Sequence, residues 1–223
     1  MRCYLVRHAQ TAWNGQNRLQ GRSDIPLSVL GEQQAQRVAG AFATRRLDGL
    51  FTSALQRSRQ TAHAIAGANQ QCPAPHVEPS LAEIHLGAWE GLTPDEIDAR
   101  FDGAYQRWRR YPSTVEIPGG ELLAAFRQRV RETFERLTGT FQQDGEYVIV
   151  SHGGVIAALL AEVLEAEYDI LLRRLCLDNA GITALECGFG KPHVLWVNST
   201  LHLDGLLLPP SQAAIAIPSA VTR

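Results

Sequence analysis

The chain has 223 residues, 45% of them hydrophobic and 20% charged, with a formal net charge of -2. That balance belongs to a globular protein with ample material for a core, and it lacks the basic excess of a general nucleic-acid binder. No apolar run approaches the roughly 18 residues that span a bilayer, so no membrane partner is expected. Lys191 is the only lysine, and arginine supplies the other basic residues. Arginine's planar fork suits phosphate and carboxylate, although a biased genome composition produces the same pattern. Cys3, Cys72, Cys176 and Cys187 form no CxxC pair, and no Cys/His spacing suggests zinc. The first eight residues, Met-Arg-Cys-Tyr-Leu-Val-Arg-His, are too quickly charged for a signal peptide, so a reducing cytoplasm is the expected compartment.

In chain order, residues 3–6 read as a short buried strand that ends at Arg7-His8, and a Gly/Asn/Gln-rich loop follows to about residue 27. A helical pattern over 29–46 carries Leu30, Ala35, Val38, Ala39 and Phe42 on one side. Residues 49–52 read as a second strand. Ser53 stands three before Gln56, which is capping-box spacing and predicts a helix to about residue 68. His76-Val77-Glu78 reads as a third strand. Thr93-Pro94-Asp95-Glu96 predicts a helix start, with a break near Asp102-Gly103. A long amphipathic helix is expected over 120–142, a strand over 146–150, a helix over 155–165 and closing strands over 182–187 and 193–198. Strands alternating with helices imply an α/β fold, a three-layer α/β/α sandwich with a mainly parallel central sheet. A single domain over 1–204 and a tail over 205–223 are the simplest division.

Ligands of an open parallel sheet gather outside the carboxyl ends of its strands. Three predicted strands finish on Arg7-His8, on Ser53-Ala-Leu-Gln-Arg57 and on Ser151-His152-Gly153. If these strands are neighbours, two histidines, two arginines and two helix N-termini converge, and that set favours a phosphate.

The stretch Leu5-Val-Arg7-His8-Ala9-Gln-Thr-Ala-Trp-Asn14 resembles the signature of the histidine phosphatase superfamily, the phosphoglycerate mutase-like proteins. The likeness continues through Arg18-Leu-Gln20-Gly21, Ser53–Ala62, Glu83-Ile-His85-Leu-Gly87, Gly119-Gly120-Glu121 and Ser151-His152-Gly153, covering roughly residues 2–200 in order. The resemblance implies that His8 is a nucleophile that becomes phosphorylated. Arg7 and Arg57 would hold the phosphoryl oxygens, beside a protonated His152 and the neutral donor Asn14. It implies that Glu83 protonates the leaving oxygen and later takes a proton from water, for which its pKa must be raised. Gln20, Gly21 and Gly153 fall on the substrate side of these motifs, Gly153 allowing close backbone approach to an anion. Neither a metal nor another cofactor is implied. The expected partner is a small phosphorylated metabolite, and the closing-strand edges would allow a homodimer.

The mutases of this family carry a longer basic segment after the glutamate and favour tyrosine three residues beyond it. Here Thr93–Gly120 lacks lysine, and Leu86 holds the tyrosine's place. Both departures favour hydrolysis over a 2,3-bisphosphoglycerate-dependent mutase. A non-catalytic phosphate-binding module is the alternative of another class, although His8, Arg7, Arg57, Glu83 and His152 are all present. The stretches Phe101–Glu121, Asp178-Asn-Ala180 and Asn198–Leu203 are similar to metal-independent phosphoserine phosphatases, in which two histidines read the carboxylate. His202 fits one of them and His85 lies one place from the other, which makes phosphoserine the leading substrate candidate.

Overall fold

The computed structural model describes residues 1–188 and 190–206. Six strands, β1 (Arg2–Arg7), β2 (Gly49–Thr52), β3 (His76–Val77), β4 (Glu146–Ser151), β5 (Ile182–Glu186) and β6 (His193–Ser199), form one sheet in the order β3-β2-β4-β1-β5-β6. The pairings β3–β2, β2–β4 and β4–β1 are parallel, whereas β5 is antiparallel to both its neighbours. Only β5 therefore runs against the rest, and the mainly parallel sheet expected from the sequence is what forms. The strands that end on His8, on Ser53 and on His152 lie side by side, with β4 between β2 and β1.

The helices among the described residues are α1 (Ala12–Gly15), α2 (Val29–Phe42), α3 (Gln56–Ala68), α4 (Pro94–Arg100), α5 (Ala104–Arg110), α6 (Leu123–Thr138), α7 (Gly153–Val163) and α8 (Tyr168–Arg174). Alternation along β1 divides them into layers. Tyr4 and Val6 pack with Val38 and Phe42 of α2 and Ile65 of α3. Cys3 and Leu5 belong to the core on the opposite face, with Phe126 and Val130 of α6 and Ile156 and Leu159 of α7. No helix among the described residues is long and apolar enough to cross a membrane.

Several local expectations change. The helix expected over 29–46 ends at Phe42, and the one expected over 120–142 spans only Leu123–Thr138, leaving Leu122 outside and 60% exposed. Helix α7 starts at Gly153, two residues early, and α8 has no counterpart among the expected elements. Thr93 does cap α4, with the reciprocal bond from Glu96. Ser53 does not cap α3. The capping position falls on Leu55, which offers no side-chain acceptor, and the Asp24 carboxylate accepts from Gln56 N at 2.6 Å instead. The tail expected from residue 205 lies almost wholly outside the described residues.

Candidate active site

The carboxyl ends of β1, β4 and β2 deliver the expected residues to one place. Arg7 closes β1 and His8 follows it, His152 follows β4, and Arg57 sits in the first turn of α3 behind β2. All four are buried, none more than 3% exposed. A cleft enclosing about 940 Å³, part of it open to solvent, is lined by Arg7, His8, Asn14, Gln20, Gly21, Arg57 and Glu83.

The hydrogen bonds of His8 define which ring nitrogen carries the lone pair. Its Nδ1 lies 2.7 Å from the Ala9 carbonyl, which can only accept, so Nδ1 carries the proton. Nε2 is then the lone pair, and it accepts from Arg57 Nε at 3.2 Å. Burial first, then the charges of Arg57 and Arg7, holds the His8 pKa well below 6.5, which favours the neutral ring. Arg57 is aimed by its remaining nitrogens, which donate to the carbonyls of Ser23 and Gly21, each at 2.7 Å. Gly21 can turn its carbonyl there because it adopts φ +50°, in the left-handed region open to glycine. Burial also lowers Arg57 to about 10, which still leaves it charged near neutrality.

His152 packs against His8 with ring centroids 5.2 Å apart. Its Nε2 is 2.7 Å from Ser53 Oγ, so the serine expected as a helix cap serves as a partner of the second histidine. Burial, Arg57 and His8 hold His152 well below its ordinary pKa. Its Nδ1 and the Nε of Arg7 are buried without hydrogen-bond partners. Arg7 otherwise donates to the Leu177 carbonyl. Two unsatisfied buried nitrogens beside a neutral imidazole are costly unless an anion completes them.

Asn14 caps within α1, and its Oδ1 accepts from Thr11 N at 2.9 Å, which turns its amide nitrogen outward as a donor. Gln20 is tied by its own oxygen, 2.9 Å from the Thr11 hydroxyl. Glu83 is held by two backbone N–H groups, Ile84 N on Oε1 at 2.9 Å and Gly154 N on Oε2 at 3.0 Å. The start of α7 is therefore occupied by the acid. A Cβ on Gly154 would stand 2.4 Å from Glu83 Oε1, so only glycine allows this approach. Gly154 lines the cleft, whereas Gly153 is buried behind it.

A second layer of charge holds the Glu83 segment. Arg129 donates to the carbonyls of Ser80 at 2.6 Å and Ala82 at 2.9 Å, and forks onto Glu121 at 3.0 and 2.9 Å. Glu121 also accepts from the backbone N of His85, and Arg22 donates to both Glu121 and the Glu83 carbonyl. Burial pushes the Glu121 carboxyl up, but Arg129 and Arg22 outweigh it and leave its pKa below the usual value. The sequence had marked Glu121 only as part of a motif, and nothing in the spacing announced Arg129, eight residues on.

Two substrate-side expectations are not brought to the cleft. His85 turns to Glu90, 3.6 Å away, and its side chain is 42% exposed. His202 lies 2.9 Å from the Ala180 carbonyl. Neither is among the lining residues. The walls that the sequence left unassigned come from Leu19, Ile84, Leu86, Tyr105, Trp108, Tyr168 and Leu172. Trp89 lies fully buried behind them, and Trp13 packs over Gly91. Among the described residues, no group of three or more His, Cys, Asp or Glu side chains could hold a metal ion.

The chain is similar to known proteins in sequence and fold. A model of the histidine phosphatase superfamily (branch 1) matches residues 3–200. The chain is 33% identical over 196 residues to "Probable phosphoglycerate mutase GpmB" of Serratia proteamaculans, covering 83% of this chain and 85% of that protein. It is 31% identical over 199 residues to "Phosphoserine phosphatase 1" of Hydrogenobacter thermophilus, covering 89% and 92%. The solved structure of a mycobacterial glucosyl-3-phosphoglycerate phosphatase superposes with a TM-score of 0.80 at 31% identity, over 89% of this chain and 99% of that one. The chain belongs to the histidine phosphatase superfamily and is a phosphatase of that family.

Proposed function

We propose that the protein hydrolyses small phosphomonoesters in two steps through a phosphohistidine on His8, with no metal. The observation that carries this reading is the fixed tautomer of His8, whose Nδ1–H is held by the Ala9 carbonyl while Nε2 faces Arg57. Arg57 Nε–H donates to that lone pair. A bound phosphoryl group would draw the guanidinium onto its oxygens and release Nε2 for attack. Nε2 forms a bond to phosphorus as the ester P–O bond breaks, and Glu83 gives its proton to the departing oxygen. Water then attacks phosphorus, Glu83 takes back a proton, and the N–P bond breaks to return neutral His8 and inorganic phosphate.

Arg7 Nε and His152 Nδ1 supply the unsatisfied positions at which equatorial oxygens would bind. The anion would also raise the His152 pKa and favour its donor form, the protonated ring that the family resemblance implies. Rapid alkaline quench during turnover should trap one alkali-stable, acid-labile phosphoryl group on His8, located by peptide mass spectrometry. With 3-phosphoglycerate, phosphate should appear without 2-phosphoglycerate. A phosphate-releasing enzyme that never labels His8 would remove the reading, and isomerisation would move it to the mutases.

A further inference from the structure

Beyond the phosphoryl site the same cleft has a second half, and its chemistry differs from what the relatives' names suggest. Leu19, Leu86, Tyr105, Trp108, Tyr168 and Leu172 line it. Tyr105 and Trp108 stack at 5.8 Å with 28° between their planes. Trp89, fully buried, meets both edge-on at 6.3 and 6.2 Å, so the pair is backed by a packed ring and cannot fold inward. From the other side α8 presents Tyr168 and Leu172, 5% and 6% exposed.

Two arginines also reach this end of the cleft. Arg18 donates to Glu96 at 2.8 Å and to the Gly91 carbonyl at 2.6 Å, so its charge is already matched. Arg109 also lines the cleft. His85 and His202, which would read a carboxylate beside the ester, are not among the lining residues and hold Glu90 and the Ala180 carbonyl instead. A hydrophilic leaving group such as serine would leave these walls wet, whereas an apolar one would displace that water and gain in proportion to the area covered.

We infer that the apolar half of the cleft is a leaving-group subsite for phosphomonoesters of apolar alcohols, straight-chain or arylalkyl, in preference to phosphoserine or phosphoglycerate. This inference rests on the phosphohistidine reading above. It includes no new chemical step, since the bonds made and broken are the same for every ester.

The test is a series of ethyl, butyl, hexyl and 2-phenylethyl phosphate, whose alcohols leave with nearly equal ease, compared with phosphoserine and 3-phosphoglycerate. On the intact protein, kcat/KM should rise about threefold per added methylene until the wall is covered. 2-Phenylethyl phosphate should exceed phosphoserine by at least tenfold. Trp108→Ala should flatten the series while leaving competitive inhibition by inorganic phosphate unchanged. A flat series in the unsubstituted protein, or phosphoserine ahead of 2-phenylethyl phosphate, overturns the inference while leaving the His8 chemistry in place. Turnover without His8 labelling overturns both.

Discussion

The two ends of the cleft are built by different means. At the phosphoryl end, Arg7, His8 and His152 stand at or just past the ends of paired strands, and Arg57 opens the helix after the next one. Neighbouring strands fix those ends through the β1–β4 and β2–β4 registers. The leaving-group end takes nothing from a strand. Its side chains come from the loops around Leu19 and Leu86 and from helices α5 and α8. Reactive atoms thus sit on the hydrogen-bonded lattice, whereas selection of the ester sits on elements that can vary without disturbing it.

Arg57→Ala tests that division with the largest effect. Removing a donor aimed at developing charge costs about 10²–10³ in kcat. Because Arg57 touches His8 and not the far wall, the loss should be the same factor for ethyl phosphate, 2-phenylethyl phosphate and phosphoserine. A loss that depended on the leaving group would mean that the two ends are not separable.

Gly154→Ala probes the junction, where the acid meets α7. The new Cβ would crowd Glu83 Oε1 at 2.4 Å, so the carboxylate must move. A displacement of about 1 Å can cost up to about 10²-fold. 4-Nitrophenyl phosphate needs little proton donation to its leaving group, but water attack still needs the base. The expected signature is therefore a burst of nitrophenol followed by slow turnover, with phosphohistidine accumulating.

The phosphoryl end was largely legible in the sequence. A short strand ending in Arg7-His8 and a clear one ending in Ser151-His152 place their last residues at one edge of a parallel sheet whatever the loops do. What local pattern could not supply were partners brought from a distance. Ser53 had capping spacing, yet the fold uses its hydroxyl for His152, 99 residues away, and caps α3 with Asp24 instead. The apolar wall was poorly legible, because Tyr168 and Leu172 lie on a seven-residue helix too short to show a period. Likewise the similarity that singled out His85 and His202 carried no information on which way those rings turn.

Arg129→Ala should have a smaller effect, about tenfold. Arg129 touches neither ester nor phosphate and acts as a positioning residue through the carbonyls of Ser80 and Ala82 and through Glu121. Loss of that frame should lower kcat and reshape its pH profile, with inhibition by phosphate unchanged. Arg129→Lys should recover only part of the rate, since one ammonium cannot reproduce a fork that reaches two carbonyls and both carboxylate oxygens. A variant of reduced thermal stability but unaltered pH profile would reduce Arg129 to a structural role.

The smallest effect concerns stability and separates a histidine outside the cleft from the two within the phosphoryl end. His8, His152 and His202 all have pKa values lowered from 6.5, in each case by burial first. Below about 6.5 the unfolded chain therefore binds more protons at these sites than the folded one. Stability should be fully present above about pH 6.5 and fall as the pH drops through the window toward the lowered values. Inorganic phosphate should flatten that slope, because an anion beside His152 raises its folded pKa toward the unfolded one. The part due to His202 should remain, since that ring is bonded to the Ala180 carbonyl, whereas His152 packs against His8 and has an unpartnered Nδ1. Thermal melts between pH 5 and 8, with and without phosphate, should show a slope reduced but not abolished by the anion. An unchanged slope would mean that phosphate does not reach His152, and the phosphoryl site would then have to be drawn without it.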